Sequence, residues 1–141
     1  MVFCRQNGHP TTESHMKNES CPAAEDCLKR VGMVIRLKPE YVAEYRKLHA
    51  DSNPGVLDLL ARYHLRNFSI FLHQIDGNWF EFGYYEYSGD DFEADMAALA
   101  DEPRNRAWLE ICDPMQLPLS GERGWAEMEC VYYNSGRGVE S

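Results

Sequence analysis

The chain has 141 residues, the size of one domain with a real core, and carries a formal net charge of −9, from 14 Lys and Arg against 23 Asp and Glu. Such an acidic balance argues against nucleic acid and anionic membranes as partners, because phosphate surfaces attract basic proteins. There is no run of about 18 apolar residues to span a bilayer. The first residues lack an apolar signal segment, so a cytoplasmic address is expected.

Residues 1–28 are polar and show no apolar periodicity, which predicts a flexible or loosely draped extension before an ordered domain over 29–141. Three of the five cysteines lie there, at Cys4, Cys21 and Cys27, together with His9 and His15. No C-x-x-C pair occurs and the spacings fit no common zinc pattern, so reduced thiols on a solvated tail are expected and no metal site.

Order is predicted from about Lys29. Arg30 to Lys38 is a β-branched run in which Val31, Met33, Ile35 and Leu37 share one face, the pattern of a strand. Pro39 ends it and opens a helix. Along that helix Tyr41, Tyr45 and His49 fall four residues apart and line one face. A break is expected at Asn53-Pro54-Gly55, after which Val56, Leu59, Leu60 and Tyr63 resume helical spacing. Phe68 to Ile75 reads as a second strand and Asn78 to Tyr87 as a third, joined by the hairpin signal Asp76-Gly77. Asp91 is a candidate cap for a helix from Phe92 to about Ala100, and a further short helix runs from Arg104 to about Cys112. A loop rich in Pro and Gly leads to a last strand, Trp125 to Tyr133.

Strand, helix, strand, strand, helix, strand is the order of the ferredoxin-like α+β fold, a βαββαβ unit with a four-stranded antiparallel sheet. Its helices cover one face only. The aromatics expected on the other face are best covered by a second copy, giving a homodimer in the form of a dimeric α+β barrel.

Between Gly32 and Tyr133 the chain resembles the L-rhamnose mutarotase family. The resemblance rests on Glu44-Tyr45-Arg-Lys-Leu-His49 with Pro54 after it, on Asn67-Phe68-Ser-Ile-Phe-Leu72, on Phe82-Gly-Tyr-Tyr-Glu86 and on Arg106-Ala-Trp108. It implies an isomerase that interconverts the α and β anomers of a 6-deoxyhexose such as L-rhamnose; departures from the family at Phe68 and Ala107 make a relative such as L-fucose a candidate as well. It implies His49 as proton donor and a sugar contact for Tyr45. A sugar-contacting tyrosine of the family falls on Phe68, and a tryptophan pair is kept only as Trp108, with Ala107 in the other place.

Anomer exchange needs one proton given to the ring oxygen and one taken from the anomeric hydroxyl, and it requires no metal, nucleotide or redox cofactor. Histidine suits it because its pKa lies near the working pH. Glu86 is the candidate second polar group of the substrate site. On this reading His49, Tyr45 and Trp108 converge on one cavity, with Phe68 and Glu86 at its wall. Taken by themselves, His49 also reads as a hydrogen-bonded core residue, Phe68 and Trp108 as plain core, and Glu86 as a cross-strand partner of Arg36 or Arg66. Two other functions fit the same architecture. One is a dimeric α+β barrel monooxygenase acting on haem or a small aromatic substrate, with His49 as iron ligand. The other is a non-catalytic ligand-binding dimer module.

Overall fold

The computed structural model describes residues 28–50 and 54–136. The expected extension over 1–28, with its cysteines and histidines, lies outside the described residues except for Leu28, which is buried.

Strand β1 (Lys29–Leu37) alternates as its sequence requires: Val31, Met33, Ile35 and Leu37 are buried and the residues between them are half-buried. A 3₁₀ turn at Pro39–Tyr41 leads into helix α1 (Val42–Ala50). Proline suits that first turn because its missing N–H has no partner to lose there. The junction is pinned to the far end of the chain: the Lys38 backbone N–H donates to the Met115 carbonyl at 2.9 Å, and its Nζ donates to the Pro114 carbonyl at 2.8 Å. Helix α2 (Pro54–Arg62) follows, and the proline stands at the expected break.

Strands β2 (Leu65–Ile75) and β3 (Asn78–Tyr87) form an antiparallel hairpin. Asp76 and Gly77 turn it with φ of 51° and 82°, the positive pair that a two-residue turn of the type matched to strand twist demands. β2 begins three residues before the expected Phe68. A register shift between Arg66 and Ser69, with Asn67 at φ 50°, absorbs the irregularity. Helix α3 (Phe92–Asp101) is capped by Asp91, whose carboxylate accepts from the Ala94 backbone N–H at 3.1 Å. Helix α4 (Pro103–Cys112) ends in another 3₁₀ turn and leads to strand β4 (Gln116–Leu117), which lies in the expected loop. Strand β5 (Ala126–Met128) is the last. It keeps only three residues of the expected Trp125–Tyr133 strand. Beyond it Val131, Tyr132 and Tyr133 are exposed and join no strand ladder among the described residues, although the Tyr133 hydroxyl accepts from an Arg30 guanidinium nitrogen at 2.6 Å.

The sheet order is β2-β3-β1, with β4 and β5 both pairing antiparallel to β1 at separate stretches of its free edge. This is the ferredoxin-like α+β arrangement. Its main core lies between sheet and helices, around Ile35, Leu59, Tyr85 and Leu99. A smaller cluster of Leu37, Val42, Tyr45 and Met115 closes one end. The other face of the sheet carries the half-buried Phe80 and Phe82 and the exposed Phe71. Among the described residues no helix is long and apolar enough to cross a membrane.

Candidate active site

Helix α1 sets the site. Val42 and Tyr45 point into the protein, and Leu48 and His49 lie one turn further along the same face. Tyr41, the first member of the expected ladder, packs instead against the smaller cluster. From Tyr45 onward the helix borders a cavity of about 500 Å³, within the usual range for small-ligand sites. Its walls are Tyr45, Leu48 and His49 of α1, Val56 and Leu60 of α2, Phe68, Ile70 and Leu72 of β2, and Trp108 of α4, with Arg46 and Leu57 nearer the surface. The lining is mainly apolar, and few polar groups enter it.

Four of the five expected site residues therefore meet here: His49, Tyr45, Phe68 and Trp108. The imidazole of His49 lies 4.1 Å from the Tyr45 ring, centroid to centroid, and 5.5 Å from Trp108, which meets it edge-on. Phe68 stacks on Tyr85 at 5.5 Å with the rings nearly parallel, so its place in the wall is held by the core.

Nδ1 of His49 is 2.8 Å from the backbone carbonyl of Tyr45. A carbonyl only accepts, so Nδ1 carries the proton and the neutral ring keeps its lone pair on Nε2. Nε2 is buried and has no hydrogen-bond partner among the described residues; the same holds for Nε1–H of Trp108. Burial holds the His49 pKa below its ordinary value, against the opposite pull of the bond to the Tyr45 carbonyl. The resting imidazole is thus neutral at neutral pH. The cavity wall contains one buried acceptor and one buried donor that the described residues leave unmatched. Orphans of this kind cost about 1–3 kcal/mol each unless a ligand satisfies them.

Glu86, the fifth expected residue, does not line this cavity. It lies on the opposite face of β3 with Phe82 and Tyr84, because successive strand residues face opposite ways. There it accepts from Arg66 Nε at 3.2 Å, from Asn67 Nδ2 at 3.2 Å and from the Tyr84 hydroxyl at 3.1 Å. Burial pushes its carboxyl up, but these three donors outweigh it and hold the pKa below its usual value. Arg66 is its register partner across the strands, one of the two cross-strand partners expected of it.

The carboxylate beside the cavity wall is Glu81, which the sequence reading passed over. It is completely buried. Its Oε2 accepts from the Tyr45 hydroxyl at 2.7 Å and from Gln116 Nε2 at 3.0 Å, while Oε1 has no partner among the described residues. Burial pushes its pKa up to about 7, against the pull of those two hydrogen bonds. Burial and the adjacent carboxylate push the Tyr45 phenol far up, so it stays protonated. Glu81 shares the strand parity of Gly83, Tyr85 and Tyr87, the face that the helices bury, but large aromatics on both parities gave the sequence no way to choose it over Glu86. Among the described residues there is no group of three or more His, Cys, Asp or Glu that could hold a metal ion.

Comparison with known proteins fits this geometry. A curated L-rhamnose mutarotase from Lactiplantibacillus plantarum is 30% identical over 86 residues, 61% of this chain and 78% of that protein. The crystal structure of an L-rhamnose mutarotase from Formosa agariphila superposes with a TM-score of 0.57 at 20% identity, covering 75% of this chain and 98% of the other, which supports the fold. The profile of the L-rhamnose mutarotase family matches residues 30–134. A match over that much of its length means that the chain belongs to the L-rhamnose mutarotase family, isomerases acting on carbohydrate anomers.

Proposed function

We propose that the chain is an aldose mutarotase that exchanges the α and β anomers of a 6-deoxyhexose, L-rhamnose or a relative such as L-fucose, by acid–base catalysis at His49. The observation that carries this reading is a neutral histidine whose Nε2 has no partner among the described residues, on the wall of an apolar, ring-lined cavity, in a member of this family. The apolar lining suits the C–H face and the 6-methyl group of a deoxysugar. The Nε1–H of Trp108 and the Nε2 of His49 are a donor and an acceptor for its hydroxyls.

The tautomer gives the order of events. Nε2 begins as an acceptor and takes the proton of the anomeric hydroxyl, O1. As the bond between the anomeric carbon and the ring oxygen breaks, the carbon–O1 bond becomes a carbonyl. The imidazolium then gives its proton to the ring oxygen, so the family's proton donor is the second state of the same group. O1 and the ring oxygen share one carbon, so a single imidazole serves both. The aldehyde end rotates and recloses on its other face by the reverse steps. Acid–base help of this kind contributes roughly 10²–10⁴-fold.

The unit that carries the activity is residues 29–141, acting in the cytoplasm on a monosaccharide and without nucleic-acid or membrane partners. It works as a homodimer, with the second copy covering the open face of the sheet. Phe71, at 64% exposed, and the half-buried Phe80 and Phe82 support that pairing. Exchange NMR on L-rhamnose, L-fucose and ordinary aldoses tests the function. Accelerated anomer exchange for at least one 6-deoxyhexose is expected, and no acceleration for any sugar refutes it. Sedimentation tests the dimer, and a monomer at micromolar concentration counts against it.

A further inference from the structure

The mechanism above uses His49 and the cavity wall and leaves Glu81 without a task. An ionisable side chain with no solvent exposure is costly to keep where an apolar one would pack. Both of its described donors are neutral, the Tyr45 hydroxyl from α1 and the Gln116 amide from β4. Its neighbours across the sheet are Ile35 and Leu72. Among the described residues, Cys112 of α4 is a further titratable group that interacts with it.

Tyr45 is the link that gives this carboxyl a reach toward the reaction. Its hydroxyl is held by Glu81, and its backbone carbonyl accepts from Nδ1 of His49. Its ring lies against the imidazole at 4.1 Å. A continuous path therefore runs from the middle of β3, through one turn of α1, to the histidine on the cavity wall.

We propose that Glu81 is a positioning residue for the reaction: through the Tyr45 hydroxyl it fixes the turn of α1 that presents His49 to the cavity, and it does so most strongly as the carboxylate. Hydrogen bonds to an ionised acceptor are shorter and about twice as strong as those between neutral groups. Burial brings the midpoint of Glu81 to about 7. Burial also pushes the Cys112 thiol up to about 11 and the Tyr45 phenol higher. Glu81 is therefore the member of this cluster that changes charge near neutrality, and the link tightens as pH rises through that range.

This inference rests on the mutarotase reading, so its test begins with the wild type. Exchange NMR from about pH 5 to 9 gives kcat and KM for wild type, Glu81→Gln, Tyr45→Phe and the double variant. Wild-type kcat is expected to rise through two midpoints, one below the ordinary histidine value and one near 7. Glu81→Gln is expected to lose about ten- to a hundredfold in kcat at high pH through misplacement of the imidazole. Its KM stays unchanged, the limb near 7 disappears and the His49 limb remains. The double variant is expected to be no slower than Tyr45→Phe, since the two act along one path. A Glu81→Gln enzyme with wild-type kcat and both limbs overturns the proposal, as does a purely additive double variant. If Glu81→Gln does not fold, Tyr45→Phe decides alone: the limb near 7 must vanish, and its persistence refutes the link. A wild type that accelerates no sugar overturns the functional reading as well, whereas an active wild type with an unaffected Glu81→Gln overturns only this inference.

Discussion

Replacing Glu81 with Gln changes how the stability of the protein depends on pH, and the size of the change follows from the structure. Gln keeps the shape and still accepts from the Tyr45 hydroxyl, so the packing around Leu37, Val42 and Met115 is preserved. Below about pH 4.5 the carboxyl is protonated in both the folded and the unfolded chain. Between 4.5 and about 7 the unfolded chain releases the proton while the folded chain holds it, so stability falls as pH rises through this window. Above about 7 both states are ionised and the full cost stands. A rise from 4.5 to about 7, at about 1.4 kcal/mol for each pH unit, makes that cost about 3 kcal/mol. Urea unfolding of both proteins at pH 4.5, 6 and 8 isolates it, because every other titrating group is common to the two. The gap between variant and wild type is expected to move by about 3 kcal/mol in favour of the variant between pH 4.5 and 8. Parallel curves would refute the claim that Glu81 is a buried carboxyl with a raised pKa.

Trp108→Phe keeps a ring in the wall and removes the unpartnered Nε1–H; KM for the sugar is expected to rise roughly two- to tenfold, read from exchange kinetics, if that N–H bonds a hydroxyl. Leu59, with no exposed surface, sits at the centre of the main core, and Leu59→Ala is expected to cost about 2–5 kcal/mol in urea unfolding. Phe71→Asp puts a charge on the face assigned to the second copy and is expected to weaken dimerisation by at least about tenfold in sedimentation, with helix and sheet content intact by circular dichroism.

Much of the fold was legible because it is local. The alternation of Val31, Met33, Ile35 and Leu37, the Asp76-Gly77 turn and the Asp91 cap each follow from the geometry of a few adjacent residues. The last strand was overread for a physical reason. An apolar run such as Val131-Tyr132-Tyr133 reports residues that favour burial, but a strand also needs a neighbour to complete its ladder. Among the described residues no ladder pair forms beyond Met128, although β1 runs on to Lys29. In the site, the turn of α1 that carries Tyr45 and His49 was readable from spacing alone, whereas its convergence with Trp108 of the short helix followed only from the family resemblance. The choice between Glu81 and Glu86 was not. Both parities of β3 carry large aromatics, with Phe80, Phe82 and Tyr84 on one and Tyr85 and Tyr87 on the other. Composition therefore did not say which parity the helices cover, and only their packing turns Glu81 inward to meet Tyr45. Likewise the proton on Nδ1 of His49 depends on a carbonyl one helical turn back, a contact that depends on the ring's orientation.

On the proposed mechanism Nε2 of His49, which has no partner among the described residues, moves the proton in anomer exchange. Its most direct test is the exchange rate of L-rhamnose anomers, by saturation-transfer NMR at neutral pH, with wild type and with His49→Ala at matched concentration and equal thermal stability. Wild type is expected to accelerate exchange, and His49→Ala to lose about 10²–10⁴-fold of that acceleration. A His49→Ala protein as fast as wild type would contradict that role for His49.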